Sequence, residues 1–161
     1  MSTLRRLLQH VRQHRGLTLV ELMIVMAIIA TLAAIAVPLY AEVTERAKVA
    51  RAIADVRIMD GEIVAFESVN GRLPTSLSEI GHGSLKDPWG NPYEFLNFVA
   101  AGPSSNGARR KDRFLVPLNS TYDLYSKGKD GQSQPPLTAG ASHDDIIRAN
   151  DGGYIGLASQ Y

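Results

Sequence analysis

One carboxylate, Glu21, stands inside a stretch that is otherwise uncharged from Leu17 to Ala41. An ionised side chain among apolar ones needs a partner, because hydrocarbon does not solvate it. A local answer is available: Thr18-Leu19-Val20-Glu21 fits the S/T-x-x-E capping box, in which the acid reaches back to amides of its own helix. An acid in the first turn also complements the helix dipole. A cation brought from elsewhere would be the alternative.

Other chemistry is sparse. There is no G-x-S-x-G, H-E-x-x-H or phosphate-cradling loop. His10 and His14 lie near the amino terminus, and His82 and His143 sit in loop-like stretches with no evident nucleophile. His143 precedes Asp144 and Asp145, but one histidine is a thin basis for a transition metal. The absence of cysteine excludes thiol catalysis and a disulfide scaffold. These features point away from an enzyme.

The elements around Glu21 follow from charge and hydropathy. Arg5, Arg6, Arg12 and Arg15 precede the apolar run with no acid among them, while the rest of the 161-residue chain is mildly acidic. A formal net charge of +1 gives no nucleic-acid signature. The run is long enough to cross a hydrocarbon core of about 30 Å as a helix. A dozen Leu, Ile and Val residues contribute about −5 kcal/mol to insertion, and one acid near the end of the segment costs less than about 3 kcal/mol. Insertion wins. The four arginines keep the leader in the cytoplasm and send the bulk of the chain across.

An ordinary signal peptide is cut after its apolar region, at small residues. Here the better cleavage point precedes that region, at Arg15-Gly16-Leu17, so the helix would stay on the mature chain. The order G-L-T-L-V-E-L-M-I-V closely resembles the processing site of type IV pilin-like proteins. The resemblance implies cleavage after Gly16 by a prepilin peptidase and methylation of the new amino terminus at Leu17, where the family usually has phenylalanine. It also implies that Glu21 meets the terminal amine of a neighbouring subunit during assembly, and that Pro38 marks a point where the helix kinks or loosens. Ala30 stands where many relatives carry glycine.

Beyond Pro38 the pattern becomes amphipathic. Val43, Ala47, Ala50, Ala54, Ile58 and Phe66 recur at helical spacing among charges, and Asn70-Gly71 reads as a C-cap. A helix from Leu17 to Ser68 would be about 78 Å long. Residues 71–161 read differently. Ser76-Leu-Ser-Glu79 predicts a short capped helix. Trp89, Tyr93 and Phe95 alternate like a strand with one buried face, Trp89 being a packing anchor. Gly102 to Lys111 reads as a mobile loop, and the stretches Phe114–Asn119 and Tyr122–Ser126 as strands. The fold expected is therefore α+β and pilin-like, a long amino-terminal helix leaning on a small antiparallel sheet. It comprises a cleaved basic leader (1–16), a transmembrane and assembly helix (17–41), its amphipathic continuation (42–70) and a globular head (71–161).

The order N-G-R-L-P, D-P-W-G-N-P-Y, D-L-Y-S-K-G-K-D-G and D-D-I is similar to the major pseudopilin of type II secretion systems. That resemblance implies a single-pass inner-membrane protein with its head in the periplasm. It would polymerise into a helical filament, a short pseudopilus that drives protein export, with other pseudopilins and inner-membrane secretion components as partners. A type IV pilus subunit or a minor pseudopilin is the alternative within the class; a membrane-anchored binding protein that never polymerises is the alternative outside it. The family also implies calcium, held here by Asp130, Asp144 and Asp145 with nearby carbonyls, since calcium takes six to eight hard oxygens. The segment Gln132–His143 is longer than in typical relatives. Without a metal, Asp130 would form an Asx turn with Gly131; Asp144 and Asp145 would be solvated or cap a short helix through Arg148.

Overall fold

The computed structural model describes residues 16–161, so the expected leader lies, but for Gly16, outside the described residues. The chain divides into two compact units, one ending at Glu42 and one spanning Val43–Tyr161. Helix α1, Leu19–Asn70, supplies all but the first three described residues of the first unit and opens the second. Alanine, the strongest helix former, is its commonest residue, and Pro38 is its one proline. It stops at Gly71, whose φ of +67° suits a residue without a side chain and whose N–H donates to the Glu67 carbonyl at 2.8 Å. Pro38 lies within a helix that continues unbroken on both sides.

In the first unit every described residue is exposed, and this part of α1 is long and apolar enough to cross a membrane. In the second unit α1 buries Ala52, Val56, Met59 and Ile63 completely, at the four-three-four spacing of one helical face. This corrects the face expected from the sequence. Val43 and Ile58 are 58% and 55% exposed, Ala47, Ala50 and Ala54 are exposed too, and Phe66 is only half-buried. Two apolar stripes compete on this helix, and polar anchors decide between them. Asp55 accepts a hydrogen bond from Tyr93 Oη at 2.9 Å, Asp60 from Tyr122 Oη at 2.6 Å, and Glu45 from Trp89 Nε1 at 2.9 Å. All three acids flank the buried stripe. Turning the other stripe inward would strand them.

The sheet is a four-stranded antiparallel meander in the order β1 (Glu94–Asn97), β2 (Tyr122–Ser126), β3 (Ile146–Ala149) and β4 (Tyr154–Leu157). Tyr122, Leu124 and Ile146 face α1, while Ile147 and Ala149 face a second cluster with Leu118, Leu137 and Ala158. Alternation along β3 thus serves two cores. The sequence identified β2 and missed β3 and β4. Phe114–Asn119 is not a strand: Asp112–Leu115 forms a turn, and Pro117 brings no N–H to a ladder. Trp89 sits in a turn, half-buried against the α1 cluster, as its expected packing role requires.

The short helix after α1 is a 3₁₀ turn, Leu77–Ile80, and Ser76 does not cap it. Glu79 instead reaches Thr75, accepting from its N–H at 3.1 Å and from its hydroxyl, and pairs with Arg72 at 2.8 Å. The Thr75 hydroxyl and Arg72 hold the Glu79 carboxyl down to about 2. A carboxylate depressed on folding stabilises above its unfolded value, and that contribution is lost as pH falls from 4.5 towards about 2. In Glu79→Gln, acid unfolding followed by circular dichroism should lose part of its slope in that window.

Candidate functional site

The start of α1 is a closed capping box. Thr18 N–H and Thr18 Oγ1 both donate to Glu21 Oε2 at 2.8 Å, and Glu21 N–H donates to Thr18 Oγ1 at 3.2 Å. The local partner foreseen for Glu21 is therefore present. These bonds occupy one carboxylate oxygen, and the side chain is exposed in the single chain. Gly16 and Leu17 lie just ahead, outside helical structure, with Leu17 78% exposed. An exposed Gly-Leu bond outside the helix, followed at once by a capped helix, has the accessibility that a peptidase needs.

The second candidate lies in the long loop between β2 and β3. Asp130 Oδ1 accepts from Gln132 N–H at 2.7 Å, the Asx-type turn read from Asp130-Gly131. Asp144 Oδ2 accepts from Asp130 N–H at 2.9 Å, tying the two ends of the loop together. Gly128 has φ of +63°, and a side chain there would run into the Asp144 carbonyl, so close approach as well as conformation requires glycine. Asn91 Nδ2 holds the Gly128 carbonyl at 3.0 Å from outside the loop.

Asp145 points elsewhere. It is fully buried, neither solvated nor at a helix end, and its Oδ2 pairs with Arg110 and accepts from Ser133 Oγ at 2.6 Å. Burial pushes the Asp145 carboxyl up to about 6, against the pull of Ser133 and Arg110. Arg110 is 2% exposed, donates to the Gln134 carbonyl at 2.6 Å and lies 4.4 Å over the Tyr125 ring. Sequence reasoning missed Arg110, which sits in a segment read as a mobile loop. It also gave Arg148 the wrong place: Arg148 belongs to β3, is 4% exposed, pairs with Asp60 and stacks 3.9 Å from the Tyr122 ring centre. An arginine two residues after Ile146 in an apolar run was the signal available for it.

The family motif described as the prokaryotic N-terminal methylation motif matches residues 11–37, spanning the capping box. Type II secretion system core protein G of Dickeya chrysanthemi is 31% identical over 145 residues, which are 88% of this chain and 90% of that protein. The chain belongs to the type II secretion system core protein G family. The core protein G of Escherichia coli (strain K12) is 30% identical, over 74% of this chain and 85% of its own length. A fimbrial protein of Neisseria meningitidis serogroup A is 37% identical, over 85% of this chain and 80% of its own. No solved structure matches.

For a core protein G relative the calcium expectation needs a test of fit. Asp145 Oδ1 is buried with no hydrogen-bond partner, an orphaned oxygen of the hard kind that calcium takes. Asp144 Oδ2 accepts from the Asp130 N–H, and the Asp144 carbonyl lies against Gly128, so two of the three expected acids meet through the loop. Against this, Arg110 already neutralises Asp145, and among the described residues no three His, Cys, Asp or Glu side chains converge on one point. The donors fit in kind, and the loop holds them short of a closed cage.

Proposed function

We propose that this chain is the filament subunit of a type II secretion pseudopilus, cut after Gly16 by a prepilin peptidase and methylated on Leu17. The observation that carries the proposal is the state of the first unit. An apolar helix opened by one carboxylate has no covered side chain from Leu17 to Val43. Such a surface is stable only in lipid or against copies of itself. Before assembly it spans the inner membrane with the head in the periplasm; afterwards it lines the core of a helical filament, alongside other pseudopilins and inner-membrane secretion components. Glu21 then answers the amine of a neighbouring Leu17, and Pro38 marks the point where the stem adjusts. The chain contributes surface rather than catalysis.

Ala33→Cys in the otherwise cysteine-free chain tests this. Oxidation in whole cells should give ladders of crosslinked subunits, with a mature mass lacking residues 1–16. Monomer alone, or an intact leader, overturns the proposal. The Neisseria similarity favours a second reading, a surface type IV pilus subunit. Sheared filaments outside cells would select it.

Calcium forms part of the proposal, with Asp130 and Asp144 as its acidic ligands and Asp145 joining them only by turning its second oxygen away from the Arg110 pair. Its charge would pull the loop's oxygens inward. The expected result is saturable binding by calorimetry at millimolar calcium or below, weakened at least tenfold in Asp144→Asn. No heat at that concentration removes the metal from the account.

A further inference from the structure

The second unit carries an apolar knob on a fixed support. Asp112 and Leu115 exchange backbone hydrogen bonds, Asp112 N–H to the Leu115 carbonyl at 3.0 Å and Leu115 N–H to the Asp112 carbonyl at 2.6 Å. Phe114 at the tip is 98% exposed, and Leu115 and Val116 beside it are 50% and 64% exposed. Below the tip, Lys111 N–H binds the Pro135 carbonyl, Leu137 N–H the Lys111 carbonyl and Leu118 N–H the Arg110 carbonyl, at 2.8–3.0 Å. With its base held this way, the turn cannot fold the knob inward. Contiguous apolar side chains kept in water on a fixed support mark an interaction site. Lys111 and Arg113 flank them, with Asp112 between the two.

The same unit carries a matching recess. The last turns of α1 and the 3₁₀ turn enclose a shallow groove of about 380 Å³, lined by Glu62, Ala65, Phe66, Val69, Glu79 and Ile80. Its floor is apolar and uncovered, Val69 being 84% exposed. It continues the stripe through Ala54 and Ile58 that the sequence marked as apolar and the head leaves in solvent. Its rim is acidic. Glu62 and Glu79 border it, Glu62 in contact with His82 and Glu79 paired with Arg72, so the formal charge of Glu62, Glu79 and Arg72 together is negative.

We propose that the Phe114 knob of one copy seats in the Phe66–Val69–Ile80 groove of a second copy, its basic flanks meeting the acidic rim. Charge complementarity favours this occupant: Lys111 and Arg113 outweigh Asp112 on the knob, and Glu62 and Glu79 outweigh Arg72 at the groove, so the two patches carry opposite formal excesses on one chain. The inference rests on the filament reading and supplies a head-to-head contact for it. Knob and groove are different patches, so the contact is heterologous: a joined pair keeps one free knob and one free groove between its two copies, and the chain of contacts propagates. A phenylalanine of this kind covers roughly 150–250 Å² of surface when buried.

Val116→Cys combined with Val69→Cys in the full chain tests it, with Phe114 kept. Both positions are exposed, so neither substitution disturbs a core. Oxidation in cells should give ladders from the pair and none from either single variant. In the Ala33→Cys background, Phe114→Ala should lower ladder yield several-fold and Phe114→Leu should restore most of it. Normal Ala33 ladders with no 116–69 crosslink overturn this contact and leave the filament standing; loss of both ladders removes the two together. Dimers from Val116→Cys alone, or labelling of the knob by a photoreactive lipid, would assign it to a symmetric pair or to the bilayer, and either result overturns the proposal.

Discussion

Glu21→Ala is expected to leave membrane insertion and leader cleavage intact and to abolish the crosslinked ladders read through Ala33→Cys. Removing the acid makes the apolar helix more insertable, since the cost of a charge in the bilayer disappears. The Gly16–Leu17 bond lies outside the helix and keeps its sequence. What the variant loses is of two kinds. The capping box goes, and a cap costs about 1 kcal/mol. On the filament reading the partner for a neighbour's terminal cation goes too, and an amine left unanswered in hydrocarbon costs several kcal/mol. Thr18→Ala separates the two. It removes the hydroxyl bond to Glu21 and the return bond from the Glu21 N–H while keeping the carboxylate. Ladders from Thr18→Ala at half the normal yield or more, with none from Glu21→Ala, assign the effect to the intermolecular charge. Equal loss in both assigns it to the cap, and normal ladders from Glu21→Ala remove Glu21 from assembly altogether.

Features that depend on near neighbours in the chain were legible in the sequence. Thr18 and Glu21 are three residues apart and their box is closed in the structure. Gly71 ends α1 where its lack of a side chain allows it. Tyr122–Ser126 has the tyrosine-bounded pattern of a strand and is one. Features set by partners far along the chain were not. Which stripe of α1 turns inward depends on Tyr93, Tyr122 and Trp89, 38 to 62 residues beyond the acids they bind. Strand β3 is buried on both faces and carries Arg148, so neither alternation nor a continuous apolar run announces it. Phe114-Leu115-Val116 looked like a strand because exposed and buried apolar residues read alike. The candidate loop divides in the same way. The Asp130 turn is local, whereas the withdrawal of Asp145 depends on Arg110, 35 residues away.

That long-range pair carries the second large effect. Arg110→Ala is expected to destabilise the head by about 3–5 kcal/mol, the usual result of removing one partner of a buried pair. For a unit of this size the melting temperature should fall by roughly 10–25 °C. The loss has three sources: Asp145, fully buried, is left with Ser133 as its side-chain partner and must either hold a charge in the interior or take up a proton; the Gln134 carbonyl loses a donor; and the face of Tyr125 is uncovered. Replacing the pair as a unit should cost much less, because no charge is then stranded. Arg110→Met with Asp145→Leu is therefore expected to recover at least half of the loss, a coupling that a double-mutant cycle measures directly. Calcium gives the cycle a further use. If Asp145 Oδ1 ligates the metal, the charge left by Arg110→Ala strengthens the site, and added calcium should raise the melting temperature of that variant more than that of the unaltered chain. Equal shifts in both would mean that Asp145 serves Arg110 alone, leaving Asp130 and Asp144 as the loop's only acidic ligands.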